Sequence, residues 1–154
     1  MAATRALKFL AVGLAVISAA ACGVSKSRDD GEAFAERYFT AMKSDDVAGA
    51  LALYSPKFFD GTPREQWLAT LRNLRERCGT PTSHALKNWM VTDRVGTASG
   101  STTTLTYDVT YSSCRLTETL VVSRPEGGED RIIRHVLKLE GTMPDKAGSG
   151  GTSV

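Results

Sequence analysis

The chain has 154 residues, 42% of them hydrophobic and 23% charged, which suits one folded domain and argues against a disordered chain. The formal charge is +2, from 19 Lys and Arg against 17 Asp and Glu; setting aside two cations of the leader, Arg5 and Lys8, leaves 17 against 17. A neutral chain lacks the basic excess with which proteins neutralise phosphate backbones, so nucleic acid is not expected as a partner.

Residues 1–21 read MAATRALKFLAVGLAVISAAA. Arg5 and Lys8 give a positive start, Phe9 to Ile17 an unbroken run of apolar residues and glycine, and Ser18 to Ala21 a small-residue stretch. This is the layout of a secretory signal peptide. The 13 residues from Phe9 to Ala21 fall short of the roughly 20 that cross a bilayer as a helix. The junction Ser18-Ala19-Ala20-Ala21-Cys22 resembles the lipobox of bacterial lipoproteins, in which small residues precede an obligatory cysteine. Ala19 stands where a larger aliphatic residue is usual. The resemblance implies cleavage before Cys22, acylation of Cys22, and attachment to a membrane through it. Several acyl chains hold stably where a single one holds marginally. Gly23, rather than an aspartate, follows the cysteine. By analogy with Gram-negative sorting, this implies the outer membrane, facing the periplasm. The competing reading is ordinary secretion with Cys22 left as a free thiol.

With Cys22 assigned to lipid, Cys78 and Cys114 remain, and an extracytoplasmic compartment permits a disulfide between them. The alternatives are a reactive thiol pair or a metal site. Neither cysteine lies in a CxxC and no histidine stands at ligand spacing, so no metal and no cofactor are expected.

Residues 22–28 read as a small, polar tether, 29–142 as the folded domain and 143–154 as a flexible tail. Asp29 or Asp30 is placed to cap a first helix running to about Lys43, with Phe34, Tyr38 and Met42 as its stripe and Ala35 and Phe39 widening it. Asp45 or Asp46 caps a shorter helix whose stripe is Val47, Ala50, Leu51 and Tyr54. Thr62-Pro63-Arg64-Glu65 forms a capping box for a third helix, with Trp67, Leu71, Leu74 and Cys78 on one face and Gly79 as its stop. Strands follow. Ser83 to Arg94 is apolar toward both faces through Leu86, Trp89, Met90 and Val91. Ser101 to Ser112 alternates, with Leu105, Tyr107, Val109 and Tyr111 on one side. Arg115 to Arg124 turns Leu116, Leu120 and Val122 inward, and Arg131 to Glu140 aligns Ile133, Leu137 and Leu139.

The pattern predicts an α+β fold with helices packed on a curved antiparallel four-stranded sheet. The stretches AFAERYFTAMKSDDVAGALALYSPKFF, PREQWLATLRNLRERCG and TLTYDVTYSSCRLTETLVVSRPEGGEDRIIRHVLKLEG, in that order, resemble the NTF2-like (cystatin-like cone) superfamily. In particular they resemble small bacterial lipoproteins carrying such domains of unknown function. The resemblance implies a bent sheet wrapped around the first helix, and little about chemistry.

Walker A, GxGxxG, HExxH and GxSxG motifs are absent. One anomaly remains. Glu118 shares strand parity with Leu116, Leu120 and Val122, and His135 with Ile133, Leu137 and Leu139, so both polar residues point to the core side. Tyr107 and Tyr111 lie on the matching face of the neighbouring strand. These four form a candidate pocket, in which a carboxylate beside a histidine can act as general acid or base. Otherwise Glu118 sits at the sheet rim or pairs with Arg37 or Arg115, and His135 is a hydrogen-bonded core residue. Asp108 lies on a wet, threonine-rich face, and Arg64, Arg72, Arg75 and Arg77 form a solvated helix face. The expected function is a membrane-anchored, non-catalytic binding or accessory module, with an envelope protein or a small apolar ligand as partner. No catalytic residue is assigned. The alternatives are a small isomerase or hydrolase using the Glu/His pocket, or a carrier of an apolar ligand.

Overall fold

The computed structural model describes residues 13–96 and 99–144, with side chains from residue 23 onward. Among these residues the order is α1 (Gly13–Lys43), α2 (Val47–Ala52), α3 (Phe58–Gly61), α4 (Arg64–Cys78), β1 (Pro81–Arg94), β2 (Gly100–Tyr111), β3 (Arg115–Pro125) and β4 (Arg131–Glu140). The strands form one antiparallel meander in the order β1-β2-β3-β4, so the class is α+β.

Helix α1 lies against the inner face of the sheet, touching β1, β2 and β3. Phe34, Ala35, Tyr38, Phe39 and Met42 recur at helical spacing and are all buried. Gly31 brings the helix close to β2: a methyl group there would meet Thr103 Cγ2 at 2.9 Å. The helix also corrects an expectation. Residues 23–28 continue α1 rather than forming an irregular tether, and Asp29 and Asp30 sit inside the helix rather than at a cap. The i,i+4 pairs Lys26–Asp30 and Arg28–Glu32, at 2.8 and 2.5 Å, support this turn. Arg28 also lies over the Trp89 ring, and the Ser27 carbonyl accepts from Thr103 Oγ1. The side chain of Cys22 and residues 145–154 lie outside the described residues. Of the tail, the carbonyls of Met143 and Pro144 accept from Arg77.

Asp46 caps α2, its Oδ1 accepting from the Gly49 amide at 2.7 Å. After α2 the chain runs beside β4: Ile132 donates to the Leu53 carbonyl and Ser55 to the Ile132 carbonyl, at 2.9 and 2.8 Å. This short parallel bridge fixes Tyr54 against the last strand. The four-residue α3 was not expected from the sequence; Phe58 and Phe59 pack there around Tyr54. The expected capping box at the next helix does not form. Pro63 occupies the N-cap and makes no side-chain cap bond. In α4 the stripe Trp67, Leu71, Leu74 and Cys78 is buried, and Gly79 ends the helix at φ 80°.

A disulfide joins Cys78 to Cys114 with Cα atoms 5.1 Å apart. It staples the end of α4 to the turn between β2 and β3, where Ser113 also donates to the Cys78 carbonyl. The bridge closes 36 sequence steps, which the chain-entropy account values at about 4 kcal/mol.

The two edge strands depart from the expected faces. Strand β1 begins at Pro81 and is mostly solvated: Met90 is 58% exposed and Trp89 is exposed too, rather than both packing into a two-sided core. In β4 a bulge opposite Val121 and Val122 inserts one residue, so Val122 pairs with Ile132 and Val121 with Arg134. Ile132 is therefore buried at 0% exposure, while Ile133, expected inside, is 38% exposed. Beyond the bulge the parity is as the sequence reads, with His135 inward and Leu137 and Leu139 half-buried.

Candidate functional site

Register brings the interior polar residues together. Leu120 faces His135 and Glu118 faces Leu137, so Glu118 and His135 are diagonal neighbours on the inner face of β3 and β4. His135 Nε2 lies 3.2 Å from Glu118 Oε2, and both side chains are 0% exposed. Tyr111 Oη donates to Glu118 Oε1 at 2.7 Å. Tyr54 Oη lies 2.6 Å from His135 Nδ1.

Donor and acceptor chemistry orders these contacts. A Glu118 carboxylate only accepts, so it takes the Tyr111 hydroxyl hydrogen at one oxygen and the His135 Nε2–H at the other. A neutral His135 protonated at Nε2 then accepts at Nδ1 from the Tyr54 hydroxyl. The result is a continuous chain, Tyr54 to His135 to Glu118 from Tyr111, with every ring nitrogen and carboxylate oxygen occupied. Burial matters because an unmet polar group in this environment is costly.

Aromatic rings close the site. Tyr38 and Trp67 meet the His135 ring edge to face, at 5.2 and 5.4 Å between centroids, and Phe58 packs on Tyr54 and Trp67. Tyr38 Oη and Trp67 Nε1 lie near the Tyr54 hydroxyl, yet neither completes a hydrogen bond among the described residues. Burial foremost raises the hydroxyl pKa of Tyr38, Tyr54 and Tyr111, and the Glu118 charge raises each further. These phenols are held neutral, with Tyr54 and Tyr111 donating to His135 and Glu118.

Of the four residues singled out in the sequence, Tyr111, Glu118 and His135 share one hydrogen-bonded chain. Tyr107 does not join it. Although paired with Glu118 across the strands, its ring packs against Phe39 and His84, on the side of α1. Tyr54, Tyr38 and Trp67 complete the site and were read only as core stripe residues. Nothing in their spacing marks them as polar partners, because the contact depends on the bridge between Tyr54 and Ile132. Arg37 lies over Phe34, and so does not supply the partner considered for Glu118. Asp108 is exposed and bonds to Lys87 and Thr117. The α4 arginines diverge: Arg64 lies over Phe59, Arg75 pairs with Asp45, and Arg77 reaches the carbonyls after β4.

Among the described residues, no three of His, Cys, Asp and Glu converge to hold a metal ion, and no helix is long and apolar enough to cross a membrane. Comparison of the chain with protein-family models, with curated proteins and with solved structures returns no match.

Proposed function

We propose that this chain is an envelope lipoprotein, anchored through acylated Cys22, whose NTF2-like cone is a non-catalytic binding or accessory module. The observation that carries the non-catalytic reading is the closure of the interior. Among the described residues its buried acid–base pair, Glu118 and His135, has no exposed side-chain surface, and each ring nitrogen and carboxylate oxygen already has a protein partner. General acid–base catalysis requires a substrate atom within hydrogen-bond reach of the group that moves the proton. Here that reach is taken up by Tyr54 and Tyr111. A carrier for an apolar ligand would need the space that Phe39, Leu105 and Leu120 fill. The cone reading draws on the helix laid against one face of a four-stranded meander, together with the order of stripes in the sequence.

The anchor reading draws on the Ser18–Cys22 junction after a short apolar run. Metabolic labelling with a fatty acid tests it. The wild-type chain is expected to carry label and to sediment with membranes. Cys22→Ser is expected to lose the label and either leave the membrane or remain unprocessed. Unchanged labelling of Cys22→Ser overturns the reading.

A further inference from the structure

A cleft of about 300 Å³ opens at the end of the sheet, beside Arg94, Ser99 and Gly100 and the turn between β3 and β4. Four cations line it, Lys57, Arg94, Arg124 and Arg131, against one carboxylate, Glu129. Two of the cations are already committed. Arg124 is clamped by Asp30 and Asp130, and Arg131 pairs with Glu129. Lys57 and Arg94 make no side-chain hydrogen bond or ion pair among the described residues. Asp93, next to Arg94, points to the other face of its strand. Thr102 and Ser123, cross-strand partners on the face to which Arg94 points, also line it, as does Ser55 beside Lys57. Two uncompensated cations beside a set of hydroxyls suit a ligand with one or two negative oxygens and a polyol. The volume is at the lower end of the range of small-molecule sites.

The position of the cleft narrows the ligand. Asp30 of α1 bonds to Arg124 of the lining, and Ser27 bonds to Thr103, one residue from the lining residue Thr102. Cys22 precedes Asp30 by eight residues in the same helix, about 12 Å along its axis. The cleft therefore lies at the end of the domain from which α1 leads to Cys22. We propose that it binds the phosphodiester headgroup of an anionic glycerophospholipid, an inference that rests on the anchoring of Cys22. An acyl anchor at that distance presents headgroups at high effective concentration, so two cations and a few hydroxyls suffice for occupancy. Lys57 and Arg94 supply the positive charge for the phosphate, and the hydroxyls of Ser55, Thr102 and Ser123 take the glycerol.

The test uses the full-length processed protein in neutral detergent, titrated with short-chain phosphatidylglycerol and read by NMR shifts. Saturable binding is expected, weakened about tenfold in Lys57→Gln/Arg94→Gln and unchanged in Arg72→Gln, an exposed α4 cation outside the cleft. Both cleft side chains are exposed, so thermal unfolding of the double variant should match wild type. Glycerol phosphate binding as tightly as the lipid overturns the proposal in favour of a free-phosphate site. Absence of binding overturns it, and so does equal binding by the double variant. Fatty-acid label is measured on the same preparations. Label without cleft-dependent binding removes the headgroup site alone, whereas cleft-dependent binding without label removes the anchor alone.

Discussion

His135 is gripped at both ring nitrogens, and Glu118 at both oxygens, so neither can be changed without leaving a mismatch in the core. Glu118→Gln is the sharpest probe. The amide keeps one acceptor and adds a donor, so either Tyr111 O–H or His135 N–H meets an N–H group. Urea unfolding is expected to show a loss of about 1–3 kcal/mol, the cost of an unmet buried polar group. A folded Glu118→Gln with unchanged stability would mean that the chain of bonds is not made. The tyrosines give a second test. All four, Tyr38, Tyr54, Tyr107 and Tyr111, are buried with pKa values pushed above the ordinary 10.0. A group whose pKa is raised on folding stabilises the fold fully below its unfolded value and loses that contribution as pH climbs toward its folded value. Stability should therefore hold below about pH 10 and fall above it. Phenolate absorbance should appear together with the loss of circular dichroism, not before it. Phenolate forming near pH 10 in protein that is still folded would contradict the burial of these rings.

Elements followed from the sequence wherever one local pattern decided them. The stripe of α4, Trp67 to Cys78, and the alternation of β2 were legible because burial on one face repeats at 3.6 or 2 residues. The diagonal contact of Glu118 and His135 followed from the same parity, since the turn between their strands makes them neighbours. Failures came where a second element intervened. The bulge in β4 depends on how β3 pairs with it, which no pattern within Arg131–Glu140 announces. It exchanges the roles of two adjacent isoleucines, and this is measurable. Ile132→Ala is expected to cost about 2–5 kcal/mol in chemical unfolding, and Ile133→Ala under about 1 kcal/mol. The reverse order would place the strand in the unbulged register. The mostly exposed β1 was misread for a related reason: apolar residues on both faces suggest a buried strand only if something covers both faces, and at the sheet edge nothing in the local sequence says so.

At the scale of the molecule, α4 meets the sheet through the Trp67 ring on His135 in its first turns and through the Cys78–Cys114 bridge at its end. Reduction of the bridge is expected to lower stability by about 4 kcal/mol, a large part of what a domain of this size possesses. Paired denaturant curves with and without reductant measure it, and coincident midpoints would show that the unfolded chain gains no freedom from the cut. The bond also imposes an order of events. In a reducing environment the unfolded chain between residues 78 and 114 keeps its entropy, and the helix that ends at Cys78 is held by packing, hydrogen bonds and an ion pair without a covalent link. Such a chain unfolds more readily than the cross-linked one. Once the thiols meet an oxidant, the same contacts become difficult to undo. The disulfide thus acts as a latch, separating a pliable reduced form of this protein from a durable oxidised one.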